Sequence, residues 1–165
     1  MWSIAVANYQ SHNISLRNGL FNIKVSEGGS GNTNLVYLQG INNFHDWPPF
    51  LDDLAQDFHI YVPAHPGISE SSGLEHIDDL WDLVLFYEEL ITFLGIKTTV
   101  IIGHSYGGML AAEIAASFNT IVSQLILVSP LGLWLDKKPI PDFFMMTPSE
   151  RSQLLWNNPE SSIAK

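Results

Sequence analysis

Apolar residues in this chain fall into short compact runs, separated by stretches of helical spacing or by polar, glycine-rich segments. Residues 12–16 and 21–25 read as two short strands. Asn18-Gly19 between them reads as a hairpin turn, because both residues tolerate positive φ. Strands joined so tightly run antiparallel. Residues 27–34 are polar and glycine-rich, hence a loop, and residues 35–39 form an apolar strand that stops at Gly40. Pro48-Pro49 suits a helical first turn and predicts a helix through about residue 58. Residues 59–62 are the next strand, stopped by Pro63.

The clearest helical period spans residues 77–94. Leu80, Leu83, Val84, Tyr87, Leu90, Ile91 and Leu94 share one face, while Asp78, Asp79, Asp82, Glu88 and Glu89 lie mostly outside it. Gly95 is a natural stop. Residues 98–102 are a β-branched run, expected to be a strand buried on both faces. A helix follows over residues 106–118, then a second buried strand over 124–129, ended by Pro130. Beyond Gly132 the regularity lapses at Pro139 and Pro141. Thr147-Pro148-Ser149-Glu150 then reads as a capping box with proline in the first turn, opening a short helix to about residue 156. Strand–helix alternation of this kind implies an α/β fold: a mostly parallel twisted sheet of about six strands with helices on both faces.

Composition narrows the functions this fold can carry. Hydrophobic residues make up 46% and charged residues 15%, a balance suited to a real core. The net charge of -10 with no Lys/Arg cluster disfavours nucleic acid. Absence of cysteine excludes disulfides, thiolate catalysis and cysteine-ligated metals. No apolar run has the length of a membrane span, and the first residues lack a basic leader, so a cytoplasmic setting is expected. No histidine pair has metal-ligand spacing, and no metal or cofactor is called for. The expected partner is a small-molecule substrate; the oligomeric state is not legible.

The chemistry lies in Gly103-His104-Ser105-Tyr106-Gly107. A bare G-x-S-x-G is a weak signal, but here it follows a β-branched strand and opens an apolar helix, the setting of a nucleophile elbow. Such a turn is sharp and strained. Side chains two residues before and after the serine would collide with the neighbouring strand and helix, so glycine is expected at both. The small residues that follow, Gly107, Gly108, Ala111, Ala112, Ala115 and Ala116, let the helix lie close on the sheet. Ser105 is thereby expected above the carboxyl edge of the sheet, where open α/β sheets bind ligands. An oxyanion hole needs two donors. The backbone N–H of Tyr106 is one candidate, and that of Ile41, just after Gly40, is the other.

These residues resemble the α/β-hydrolase superfamily, in particular its cap-bearing serine hydrolases, which include carboxylesterases and carbon–carbon bond hydrolases. Leu38-Gln39-Gly40 stands where that family shows Leu-His-Gly, and Trp47 follows at the usual place. Val62-Pro63-Ala64-His65-Pro66-Gly67 with Ser71 is similar to the loop after the fourth strand, and Leu127-Val128-Ser129-Pro130 to the end of the sixth. Gln39 departs from the family's histidine and Ser69 from a common glycine. The resemblance covers only the first part of the family's domain. It implies residues 1–131 as a C-terminally incomplete core and residues 132–165 as the start of a helical cap. It also implies an acyl-enzyme at Ser105, formed from a carboxylic ester or similar acyl substrate. Ser105 argues against the superfamily's epoxide hydrolases and dehalogenases, which place aspartate at the elbow.

In this superfamily the triad runs serine, then acid, then histidine. No histidine follows Ser105. The resemblance offers Asp136 as a candidate acid, since some members of the superfamily carry theirs just after the sixth strand. His65 and His45 lie on loops at the expected edge, where either could approach Ser105 as a substitute base, and where the simpler reading is a loop histidine that caps a backbone group or meets substrate. His104, His12, His59 and His76 belong to no constellation, and the paired acids of the long helix read as solvated surface. Two alternatives stay open: a carbon–carbon bond hydrolase of the same superfamily, and a fragment or module without catalysis.

Overall fold

The computed structural model describes residues 8–40, 44–139, 141–142 and 145–160. The chain divides into two compact units, Met1–Gly132 and Leu133–Lys165.

The first unit is a six-stranded sheet in the order β1-β2-β4-β3-β5-β6. Its strands are β1 (Tyr9–Leu16), β2 (Phe21–Gly28), β3 (Thr33–Leu38), β4 (Phe58–Pro63), β5 (Thr99–His104) and β6 (Val122–Val128). β1 pairs antiparallel with β2, β2 antiparallel with β4, and all remaining pairs are parallel. Leu16 and Phe21 are cross-strand partners. The turn between them holds the four residues 17–20, with Arg17, Asn18 and Gly19 all at positive φ.

Alternation along the strands sorts side chains onto the two faces. Val36, Leu38, Tyr61 and Ile101 face one cluster, with α2 (Leu80–Phe93) and α3 (Tyr106–Ser117) packed on it through residues such as Phe86, Leu90, Leu110 and Ile114. Leu35, Tyr37, Ile60, Val62, Val100 and Ile102 face the other, covered by Leu51 and Ala55 of the α1 region. Helices thus lie on both faces.

α1 (Leu51–Leu54) is much shorter than its prolines predict. Its continuation is interrupted because the Ala55 carbonyl accepts the Ser30 N–H at 3.0 Å, and Phe58 is already paired with Thr33. α2 begins three residues later than its periodicity suggests. Asp79 is its N-cap, accepting from the Asp82 N–H at 3.0 Å, while Asp82 accepts from the Asp78 N–H.

β6 corrects the expectation of a second buried strand. Leu125, Ile126, Leu127 and Val128 are all exposed. β6 lies at the end of the strand order, with β5 its only neighbour among the described residues, so its aliphatic side chains face solvent.

The second unit contains α4 (Pro148–Leu155), which begins as its capping box predicts. Thr147 accepts from the Glu150 N–H, and the Glu150 carboxylate accepts from the Thr147 N–H at 2.8 Å. Among the described residues no helix is long and apolar enough to cross a membrane.

Candidate active site

Ser105 stands between the end of β5 and the first residue of α3 with φ 54° and ψ -117°. That conformation is sparsely populated for a residue with a side chain and costs on the order of 1–3 kcal/mol. It persists because the Ser105 backbone is fixed on both sides. Its N–H donates to the Val128 carbonyl at 3.0 Å. Its carbonyl accepts from the N–H groups of Gly108, Met109 and Leu131 at 3.0, 3.1 and 3.0 Å. The side chain does not cap the helix it begins, and the residue is half-buried rather than sealed in the core.

The glycines do what the elbow requires, for reasons of space. A Cβ on Gly103 would stand 2.4 Å from the Gly107 carbonyl oxygen and 2.7 Å from the Ala111 Cβ. One on Gly107 would stand 2.2 Å from the Leu38 carbonyl oxygen and 2.5 Å from that of Gln39. The helix start is therefore pressed onto the backbone at the end of β3. Gly108 is as tightly placed against Pro130, with 2.8 Å to its Cβ.

Gly40 closes the approach from the other side. A Cβ there would lie 3.3 Å from the Ser105 Cβ, so the segment after β3 abuts the serine. Of the two expected oxyanion donors, Tyr106 occupies the first position of α3, where a helical N–H has no intrahelical acceptor and the dipole favours negative charge. Ile41 lies outside the described residues.

His65 is buried, and both ring nitrogens have partners: Nε2 with the Gln39 carbonyl at 2.8 Å, and Nδ1 with the Tyr87 hydroxyl. Burial lowers its pKa, so the ring is neutral near pH 7. A carbonyl only accepts. Nε2 therefore carries the proton, and Nδ1 accepts from the Tyr87 O–H. Burial pushes the Tyr87 phenol well above its usual range and keeps it a donor. The Tyr106 ring meets His65 edge to face at 5.4 Å. Of the roles open to His65, the backbone cap is the one observed, with Nε2 on the Gln39 carbonyl.

The Gln39 side chain is also buried. Its amide donates to the His45 carbonyl and accepts from the His45 N–H at 3.1 Å. The His45 side chain is exposed, as is His104. His59 bonds Glu27 at 2.7 Å, with His12 3.8 Å from the same carboxylate, and His76 stands 3.8 Å from Glu75. Among the described residues no histidine hydrogen-bonds Ser105, and no cluster of His, Asp or Glu side chains has a metal-holding arrangement. Asp136, in the second unit, accepts from the Trp134 indole N–H at 3.0 Å.

Sequence reasoning placed Tyr87 only on an apolar helix face and treated Gln39 only as a departure from a family pattern. Both are buried polar groups joined through His65, at the strand end next to Gly40. The available signal was the tyrosine itself, since a hydroxyl within a buried stripe must find a partner.

A mostly parallel six-stranded sheet with helices on both faces, and a serine at the strained corner between its fifth strand and the next helix, defines the class as an α/β protein. The family described as alpha/beta hydrolase fold matches residues 33–161, and the chain belongs to it. It is 30% identical over 139 residues to a rat (Rattus norvegicus) 1-acylglycerol-3-phosphate O-acyltransferase, ABHD5, covering 78% of this chain and 40% of that protein. It is 32% identical over 104 residues to a pimeloyl-[acyl-carrier protein] methyl ester esterase of Pectobacterium carotovorum, covering 61% of this chain and 38% of that one. A crystal structure of a membrane phospholipase A, a bacterial virulence factor, superimposes with a TM-score of 0.72 at 25% identity. That match covers 82% of this chain and 43% of the phospholipase. The chain thus spans about two-fifths of the length of these two curated relatives.

Proposed function

We propose that the protein is a serine hydrolase that cleaves a carboxylic ester or thioester of a small molecule through an acyl-enzyme at Ser105. The observation that carries this reading is the strained, hydrogen-bonded corner at Ser105 with Gly40 pressed against it. In the first step the Ser105 Oγ bonds to the substrate carbonyl carbon. Its proton passes to a base and on to the departing alcohol or thiol. In the second, water adds to the acyl-enzyme, the acid leaves, and the hydroxyl regains its proton. The Tyr106 N–H, with that of Ile41 as its expected partner, holds the transient oxyanion, each donor contributing about 2.7–4 kcal/mol. Serine rather than aspartate at position 105 favours acyl chemistry over epoxide opening. The esterase and O-acyltransferase names among the relatives concern acyl groups as well. Residues 132–165 are assigned as the start of a cap that shapes substrate choice, a role to which the change in character after Gly132 lends support.

The mechanism requires a base that no histidine among the described residues supplies at Ser105. A fluorophosphonate probe tests both needs at once. Labelling at Ser105, abolished in Ser105→Ala, is expected of the full chain. A wild type as silent as Ser105→Ala would overturn the hydrolase reading in favour of a module without catalysis.

A further inference from the structure

The polar chain from α2 to the elbow has a direction. The Tyr87 hydroxyl donates to His65, which donates to the Gln39 carbonyl, and Gln39 is followed by the glycine that abuts Ser105. The Gln39 amide makes two further bonds, both to the backbone of His45, and so ties the end of β3 across to the chain beyond residues 41–43. On its far side the Gln39 carbonyl meets Gly107, where even a methyl group would not fit. One peptide unit is therefore held by a histidine, by its own side chain and by the first turn of the nucleophile's helix.

We propose that Gln39, His65 and Tyr87 are positioning residues that fix the Gln39–Gly40 peptide against Ser105 and so set the geometry in which the oxyanion is received. The inference rests on the acyl-enzyme reading above. None of the three side chains hydrogen-bonds Ser105; they act through the backbone. The bond directions are determined, because the carbonyl acceptor at one end of the histidine leaves only one neutral tautomer. The tyrosine holds that tautomer. Without its hydroxyl, Nδ1 is left as a bare acceptor in a buried site, and the alternative tautomer removes the donor from the Gln39 carbonyl. Misplacement of a reacting group by about 1 Å costs roughly a hundredfold in rate.

The test compares wild type with Gln39→Ala, Tyr87→Phe, His65→Leu and His65→Gln in the full chain. Fluorophosphonate inactivation separates the limiting rate from probe affinity, and a p-nitrophenyl ester gives kcat and KM. Rates are corrected for the folded fraction from thermal melts. The expected result is a fall of about 10- to 100-fold in kcat and in the limiting labelling rate for Gln39→Ala, Tyr87→Phe and His65→Leu, with affinity and KM within about threefold. His65→Gln, whose amide keeps both a donor and an acceptor, restores most of the rate lost in His65→Leu. Variants that react at the wild-type rate once unfolded protein is discounted overturn the assignment alone. So does a loss confined to KM, or a His65→Gln no better than His65→Leu. An unreactive wild type overturns the acyl-enzyme reading and this assignment together.

Discussion

β5 and β6 are adjacent, parallel and built from the same kinds of aliphatic residue, yet they live in different surroundings. Val100, Ile101 and Ile102 of β5 are buried on both faces between strands β3 and β6. Leu125, Ile126, Leu127 and Val128 of β6 are between 36% and 45% exposed. Composition marks each as a strand meant for an interior. Position in the sheet decides whether the interior is there.

Four measurements sharpen or break that contrast, and the largest effect belongs to β5. Ile101→Ala is expected to cost about 2–5 kcal/mol in chemical denaturation, because its side chain is fully enclosed. Gly107→Ala, at the start of the helix after β5, is expected to cost about 1–3 kcal/mol by overpacking, since its new methyl would meet the Leu38 carbonyl. The third is a slope with pH. Burial lowers the pKa of His65 below its unfolded value, and the groups packed on it, Tyr87 and Tyr106, are neutral phenols. The unfolded chain then binds the extra proton. The stability this neutral ring contributes is complete above about pH 6.5 and is lost as pH falls through the lowered folded value. The slope is at most about 1.4 kcal/mol per pH unit. A pH series of denaturation curves, flattened in His65→Gln, checks it. The smallest effect belongs to β6: Ile126→Ala is expected within about 0.5 kcal/mol of wild type. A loss near that of Ile101→Ala would show β6 to be as enclosed as β5.

Much of this was legible in the sequence, for physical reasons that differ by element. The period of α2, the β-branched run of β5 and the Thr147 capping box are local codes. The structure reproduces them with ends shifted by a few residues. The elbow was legible because close approach admits only glycine, and Gly103 and Gly107 meet backbone as expected. The length of α1 was not, because it ends on a bond from Ser30 to Ala55, a contact no local pattern encodes. The exposure of β6 was hidden for a related reason, since strand order is a property of the whole sheet. The His65 network escaped notice because it joins residues 39, 65 and 87, which share no spacing rule.

The Ser105 carbonyl draws its third hydrogen bond from Leu131, and its N–H depends on Val128. A growing polypeptide on the ribosome therefore lacks these supports until residue 131 has cleared the exit tunnel. The strained corner at Ser105 is thus translated early but gains its last supports only once Leu131, twenty-six positions further along, has emerged, so its shape is not a property of its own short motif.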